Sequence, residues 1–197
     1  MVLLGFRAVR SATLASCVIG TMEGTHELDP DEFWRFSIIV GAFAEILARE
    51  QNSYPPDEAF AGGLLHTVGV RALDQYRPEM LRETLHDVQL ALLGFTDAQL
   101  GGALTLHWNF PESLVAAVEG YSLDDPDLPG IPDLTAHVVS ARAFTLSLGI
   151  SGGLGSTGPS PPPAAWMRPG VTAELARAGG VEGVIERANA FVEATVT

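Results

Sequence analysis

Apolar residues recur along this chain at intervals of three and four, and no stretch sustains an alternation of two. That spacing places the hydrophobic side chains on one stripe of a helix and disfavours half-buried strands, so an all-α fold is expected. The helix starts and stops agree. Asp29-Pro30-Asp31-Glu32 reads as a helix start, with Asp29 as cap, Pro30 in the first turn and Glu32 placed to close a capping box. Phe33, Phe36, Val40, Phe43 and Leu47 then line one face to about Glu50. Pro55-Pro56-Asp57-Glu58 opens a second helix, its acids in the first turn where the macrodipole favours them. This helix is expected to run through Gly62-Gly63-Leu64-Leu65-His66-Thr67-Val68-Gly69 to about Leu73. Another is expected from Pro78 to about Leu93, stopped by Gly94. Thr96-Asp97-Ala98-Gln99 is a second capping box, leading a helix to about Trp108 in which Gly101, Gly102 and Ala103 permit a close neighbour. Glu112 begins a short helix carrying Leu114, Val115 and Val118, and Pro132 leads one to about Gly149. From Ser151 to Pro163 the composition turns to Gly, Ser and Pro, which holds no regular element. Val171 to Ala178 and Val181 to Ala194 read as two further helices. The expected organisation is a helical domain over 1–150, a linker or loop over 151–169, and C-terminal helices over 170–197 packed on the domain or appended to it.

At 197 residues and 47% hydrophobic, the chain can bury a sizeable core. No apolar run reaches the length of a membrane span, and Arg7 and Arg10 sit in an amphipathic pattern unlike a signal segment. A cytoplasmic protein without membrane association is expected. The single Cys17 excludes an internal disulfide and lies between Leu14 and Val18 as a small hydrophobe would. Net charge is −13, and all 11 basic residues are arginines spread without a cluster from Arg7 to Arg187. That distribution disfavours direct nucleic-acid binding and suits protein or small-molecule partners. Phosphate loops ending in Lys are excluded because the chain has no Lys, and Gly152-Gly153-Leu154-Gly155-Ser156 precedes prolines where a phosphate loop would open a helix. No Ser sits in a Gly-x-Ser-x-Gly elbow, and Asp124-Asp125 reads as a solvated loop pair.

Gly63-Leu64-Leu65-His66-Thr67-Val68-Gly69 resembles the GLLHDIG signature of the HD superfamily of metal-dependent phosphohydrolases. Phe33-Trp34-Arg35-Phe36-Ser37 resembles that superfamily's FW.HS segment, and Gly101-Gly102-Ala103-Leu104 followed by Trp108-Asn109-Phe110-Pro111 resembles its GA.L...W..P. Ala136 to Leu146 resembles the helix that supplies a late Asp. In this order the segments from Leu3 to about Leu148 resemble the later part of an HDOD domain, a bacterial signalling branch of the superfamily, without its usual opening helices before Leu4-Gly5. The resemblance implies an HD-domain-like helical bundle and a divalent metal site, iron or manganese, at defined positions. Phe36 stands where the first His is expected, His66 is retained, and Thr67 replaces the adjacent Asp. Asp97 takes the place of a frequent His, Tyr121-Ser122 that of a His pair, and Arg142 that of the final Asp. A hydroxyl is a poor substitute for an anionic oxygen on a hard metal, and a guanidinium repels the cation.

The expected site residues are therefore His66, Thr67, Asp97, Tyr121, Arg142 and Phe36, as a degenerate cleft with no catalytic group and no cofactor. His66 is expected to be a hydrogen-bonded core histidine, Asp97 a first-turn acid, and Phe36 and Trp34 core aromatics. Arg142 is expected to find an anionic partner, Asp97, Asp133 or a phosphate-bearing ligand. His26, His86 and His107 are given no role. The function expected is non-catalytic signal transduction through a protein partner or a small ligand, with a homodimer possible if apolar surface is left uncovered. The competing expectation is a phosphohydrolase acting on a nucleotide or phosphoester, its metal held by His66, Asp97 and a further ligand.

Overall fold

The computed structural model describes residues 27–82, 86–123, 130–131, 133–152 and 161–195, and all regular structure among them is helical. In chain order the helices are α1 (Pro30–Gln51), α2 (Pro56–Leu65), α3 (Val68–Tyr76), α4 (His86–Leu93), α5 (Asp97–His107), α6 (Glu112–Glu119), α7 (Asp133–Ser147), α8 (Pro169–Arg177) and α9 (Gly180–Thr195). Short 3-10 segments occur at Pro78–Arg82 and Ala164–Met167. Cys17, His26, Asp124-Asp125, the His86 side chain, the residues carrying the resemblance before Glu27 and most of the Gly/Ser/Pro stretch lie outside the described residues.

α1 is the central element. It packs against α2, α7, α8 and α9, while α3 packs on α5, and α6 on α5, α7 and α2. Its Ile39, Val40, Phe43, Ala44 and Leu47 are almost wholly buried. Phe43 meets the edges of Phe144 and Trp166 at 5.0 and 5.2 Å, and those two rings stack at 4.0 Å. Trp166 donates its indole N–H to the Ser140 carbonyl at 3.2 Å, so the ring is buried without losing its polar contact. Val171 of α8 and Val184, Ala188 and Val192 of α9 join the same core.

Asp29 caps α1 as expected, its carboxylate accepting the Glu32 N–H at 3.0 Å, while the return bond from the Glu32 side chain that would close a capping box is not found among the described residues. The reciprocal box forms at α5, where Thr96 accepts from the Gln99 N–H at 3.2 Å and Gln99 accepts from the Thr96 N–H at 3.0 Å. Two expected helices differ. Pro78–Arg82 is a 3-10 segment, opened by a Met80 N–H to Arg77 carbonyl bond, and α4 begins only at His86. The helix through the GLLHTVG stretch is also interrupted, at His66-Thr67. His66 Nδ1 lies 2.6 Å from the Gly63 carbonyl, the group that a Thr67 N–H would take in a continuous helix.

The glycines of this stretch set how closely helices approach. A Cβ at Gly63 would stand 2.6 Å from the Gly41 Cα, so α1 and α2 cross backbone to backbone. A Cβ at Gly69 would stand 1.9 Å from the Asp97 carbonyl oxygen and 2.7 Å from the Gly101 nitrogen, so α3 lies directly on the first turn of α5. The break after His66 lets the chain turn from the first crossing to the second.

Candidate functional site

The fold brings His66, Phe36, Thr67, Asp97, Tyr121 and Arg142 to one junction of α1, the α2–α3 break, the start of α5, the end of α6 and α7. His66 is fully buried. A carbonyl only accepts, so Nδ1 carries the proton donated to Gly63 and Nε2 is left as a lone pair. Nε2 is buried and has no hydrogen-bond partner among the described residues. Phe36 tilts against the imidazole at 5.5 Å, and Tyr121 meets it edge-on at 5.3 Å. Burial, followed by the charge of Arg142, pushes the His66 pKa down to about 3, outweighing the Gly63 bond and Asp97. The ring is neutral at physiological pH.

Thr67 shares a hydroxyl–hydroxyl bond of 3.1 Å with Ser37, both buried. Asp97 accepts the Tyr121 hydroxyl at 2.8 Å, and its own N–H donates to the Gln89 side-chain oxygen at 2.8 Å. Asp97 is the first-turn acid expected of it, and it is also buried, its N–H tying α5 to α4 and its carboxylate accepting from the α6 end. Burial and the neighbouring Asp97 carboxylate raise the Tyr121 pKa well above the usual range, so the phenol stays a donor. The expected carboxylate partner of Arg142 is not found among the described residues. Its guanidinium lies over the Tyr121 ring, 5.3 Å from the centroid, as a cation–π contact. The side chain is half-buried, so water solvates part of its charge.

The donor set does not fit a divalent metal. His66 Nε2 is an available ligand, yet the adjacent carboxylate has become a hydroxyl bound to Ser37, and Asp97 is engaged by Tyr121. Arg142 adds positive charge to the same ring. No three His, Cys, Asp or Glu side chains gather into a metal-binding group among the described residues. A hard ion asks for several anionic oxygens.

Ser37 and Gln89 carry contacts at this junction that sequence reasoning did not assign. Ser37 was legible only as the residue after Phe36 in the FWRFS segment; Gln89 carried no motif. The same holds for Arg71 and Asp74, a buried pair 3.3 Å apart whose carboxylate also accepts the Glu27 N–H at 2.8 Å and the Leu28 N–H at 3.3 Å. It also holds for His137, buried on α7. Of the remaining expectations, Trp34 is half-buried against Phe33 and His107 is exposed at the end of α5.

The HDOD domain family model matches residues 1–122. An HDOD domain protein of unknown function from Geobacter sulfurreducens has a similar fold, with TM-score 0.71, 18% identity, and 98% of this chain and 72% of that one covered. A candidate phosphohydrolase from Shewanella amazonensis SB2B is similar with TM-score 0.67, 20% identity, and 94% and 69% covered. So is a candidate signal-transduction protein from Marinobacter aquaeolei VT8, with TM-score 0.70, 21% identity, and 98% and 46% covered. At these identities the likeness is one of fold. No curated protein matches the chain. The match over most of the sequence, on the helical scaffold just described, assigns this chain to the HDOD domain family.

Proposed function

We propose that this chain is a non-catalytic HDOD module of bacterial, cytoplasmic signal transduction, acting by binding a protein partner or a small ligand. One observation carries the reading: the Thr67–Ser37 hydroxyl pair stands where a metal-binding carboxylate would be, inside a junction where Asp97 is already bonded to Tyr121. Hydroxyls bonded in this way hold α1 to the α2–α3 break and supply no anionic oxygen beside His66, which leaves Asp97, already bonded to Tyr121, as the one carboxylate described at the junction. The similarity in fold to a candidate signal-transduction protein agrees with the reading. No described helix is long and apolar enough to cross a membrane, which agrees with partners met in solution.

The test is phosphoesterase assay of the purified protein on bis-p-nitrophenyl phosphate with added manganese or ferrous iron. The expected outcome is a rate equal to that of a folded His66→Ala variant, which loses the available ligand. Metal-dependent turnover lost in His66→Ala would overturn the proposal in favour of a degenerate phosphohydrolase using His66 and Asp97.

A further inference from the structure

Outside the cleft, a second histidine is buried without full use of its nitrogens. His137 on α7 is 2% exposed, its Nε2 lies 3.3 Å from the Ser53 hydroxyl, and its Nδ1 has no partner among the described residues. Ser53 is exposed in the short connection between α1 and α2, after Asn52 in the left-handed conformation and before Pro55-Pro56. We propose that Ser53 is a covalent acylation site, its hydroxyl taking an acyl group from an activated ester or thioester with His137 as base.

The geometry supplies what such a site needs. The serine is exposed while the base behind it is buried, and the two are within reach for proton transfer once a donor binds. The Asn52 turn and the two prolines restrict the backbone around Ser53, whose hydroxyl lies 3.3 Å from the imidazole. Buried polar atoms are nearly always paired, so an imidazole held with one nitrogen on an exposed serine and the other empty is unusual.

The charged groups facing His137 are Asp133, one turn earlier on α7, and Arg168 at the start of α8. Arg168 lies 3.6 Å from Glu50 at the end of α1, which offsets its charge. Burial lowers the His137 pKa most, Arg168 adds to this, and Asp133 opposes it. The ring is therefore in its basic form at neutral pH, and the Asp133 carboxylate favours the cation formed as the proton arrives. In the step itself Ser53 Oγ bonds to the acyl carbon, the bond from that carbon to the leaving oxygen or sulfur breaks, and the serine proton passes through His137 Nε2 to the leaving group.

The test treats the full chain with p-nitrophenyl acetate and maps acetylation by tandem mass spectrometry. Acetyl is expected on Ser53, with no modification of that peptide in Ser53→Ala and a rate lower by about tenfold or more in folded His137→Gln. Acetylation only at other residues, or an unchanged rate at Ser53 in His137→Gln, would overturn the proposal. If His137→Gln does not fold by circular dichroism, the wild-type pH profile decides. Acetylation of Ser53 that levels off by neutral pH supports His137 as base, and a rate still rising through alkaline pH contradicts it.

Discussion

His66 is neutral because protonation would place a charge in a fully buried site beside the Arg142 guanidinium. Its pKa falls from 6.5 unfolded to about 3 folded, so between these values the unfolded chain binds the extra proton. The contribution is fully present above pH 6.5, and acid removes it progressively, by on the order of 5 kcal/mol as the pH approaches 3. Urea unfolding from pH 7 to pH 4 is expected to show a shallower loss of stability in His66→Gln than in the wild type; parallel curves would contradict the assignment. Tyr121 tests the neighbouring bond. Tyr121→Phe removes the donor to a buried carboxylate and is expected to cost about 2–3 kcal/mol in the same measurement at pH 7. The phenyl ring would remain under Arg142, so the loss reads the Asp97 bond apart from the cation–π contact.

At the scale of elements, the GLLHTVG stretch is a packing joint. Gly69→Ala would drive a Cβ into the backbone of α5 at Asp97 and Gly101, where no side chain can yield. A loss of about 3 kcal/mol or more is expected, read as a fall in thermal midpoint; an unchanged midpoint would mean that α3 and α5 are not held this closely. Features set by neighbouring residues were legible in the sequence. The Thr96–Gln99 box and the Asp29 cap depend on groups three residues apart, and both form. The break after His66 was not legible, because it depends on an imidazole competing for a backbone carbonyl and on where α5 lies. Arg142 shows the same limit for the site. Its charge was readable, whereas its contact with the ring of Tyr121 depends on how the end of α6 meets α7. Nothing near His137 in the sequence points to Ser53, which only the packing of α7 on α1 brings within reach.

Across the whole molecule, the family match ends at residue 122 while the fold likeness to the Geobacter protein covers 98% of the chain. The C-terminal helices share the core of α1 through Val171, Val184, Ala188 and Val192, and Trp166, just before α8, anchors their start to it through Phe43 and Phe144. Trp166→Ala is expected to cost about 3–5 kcal/mol and to loosen α8 and α9, seen as faster amide hydrogen exchange across both helices. Undisturbed exchange there would mean that these helices are held by other contacts. If the junction around His66 is a packed joint in place of a metal centre, no metal adds to its stability, whereas a bound metal would stabilise the folded state by mass action. The direct measurement is metal content of the purified protein together with its thermal midpoint before and after chelation. Substoichiometric metal is expected, with a midpoint that chelation and added manganese or ferrous iron leave unmoved. One equivalent of metal, raising the midpoint and lost in His66→Ala, would contradict it.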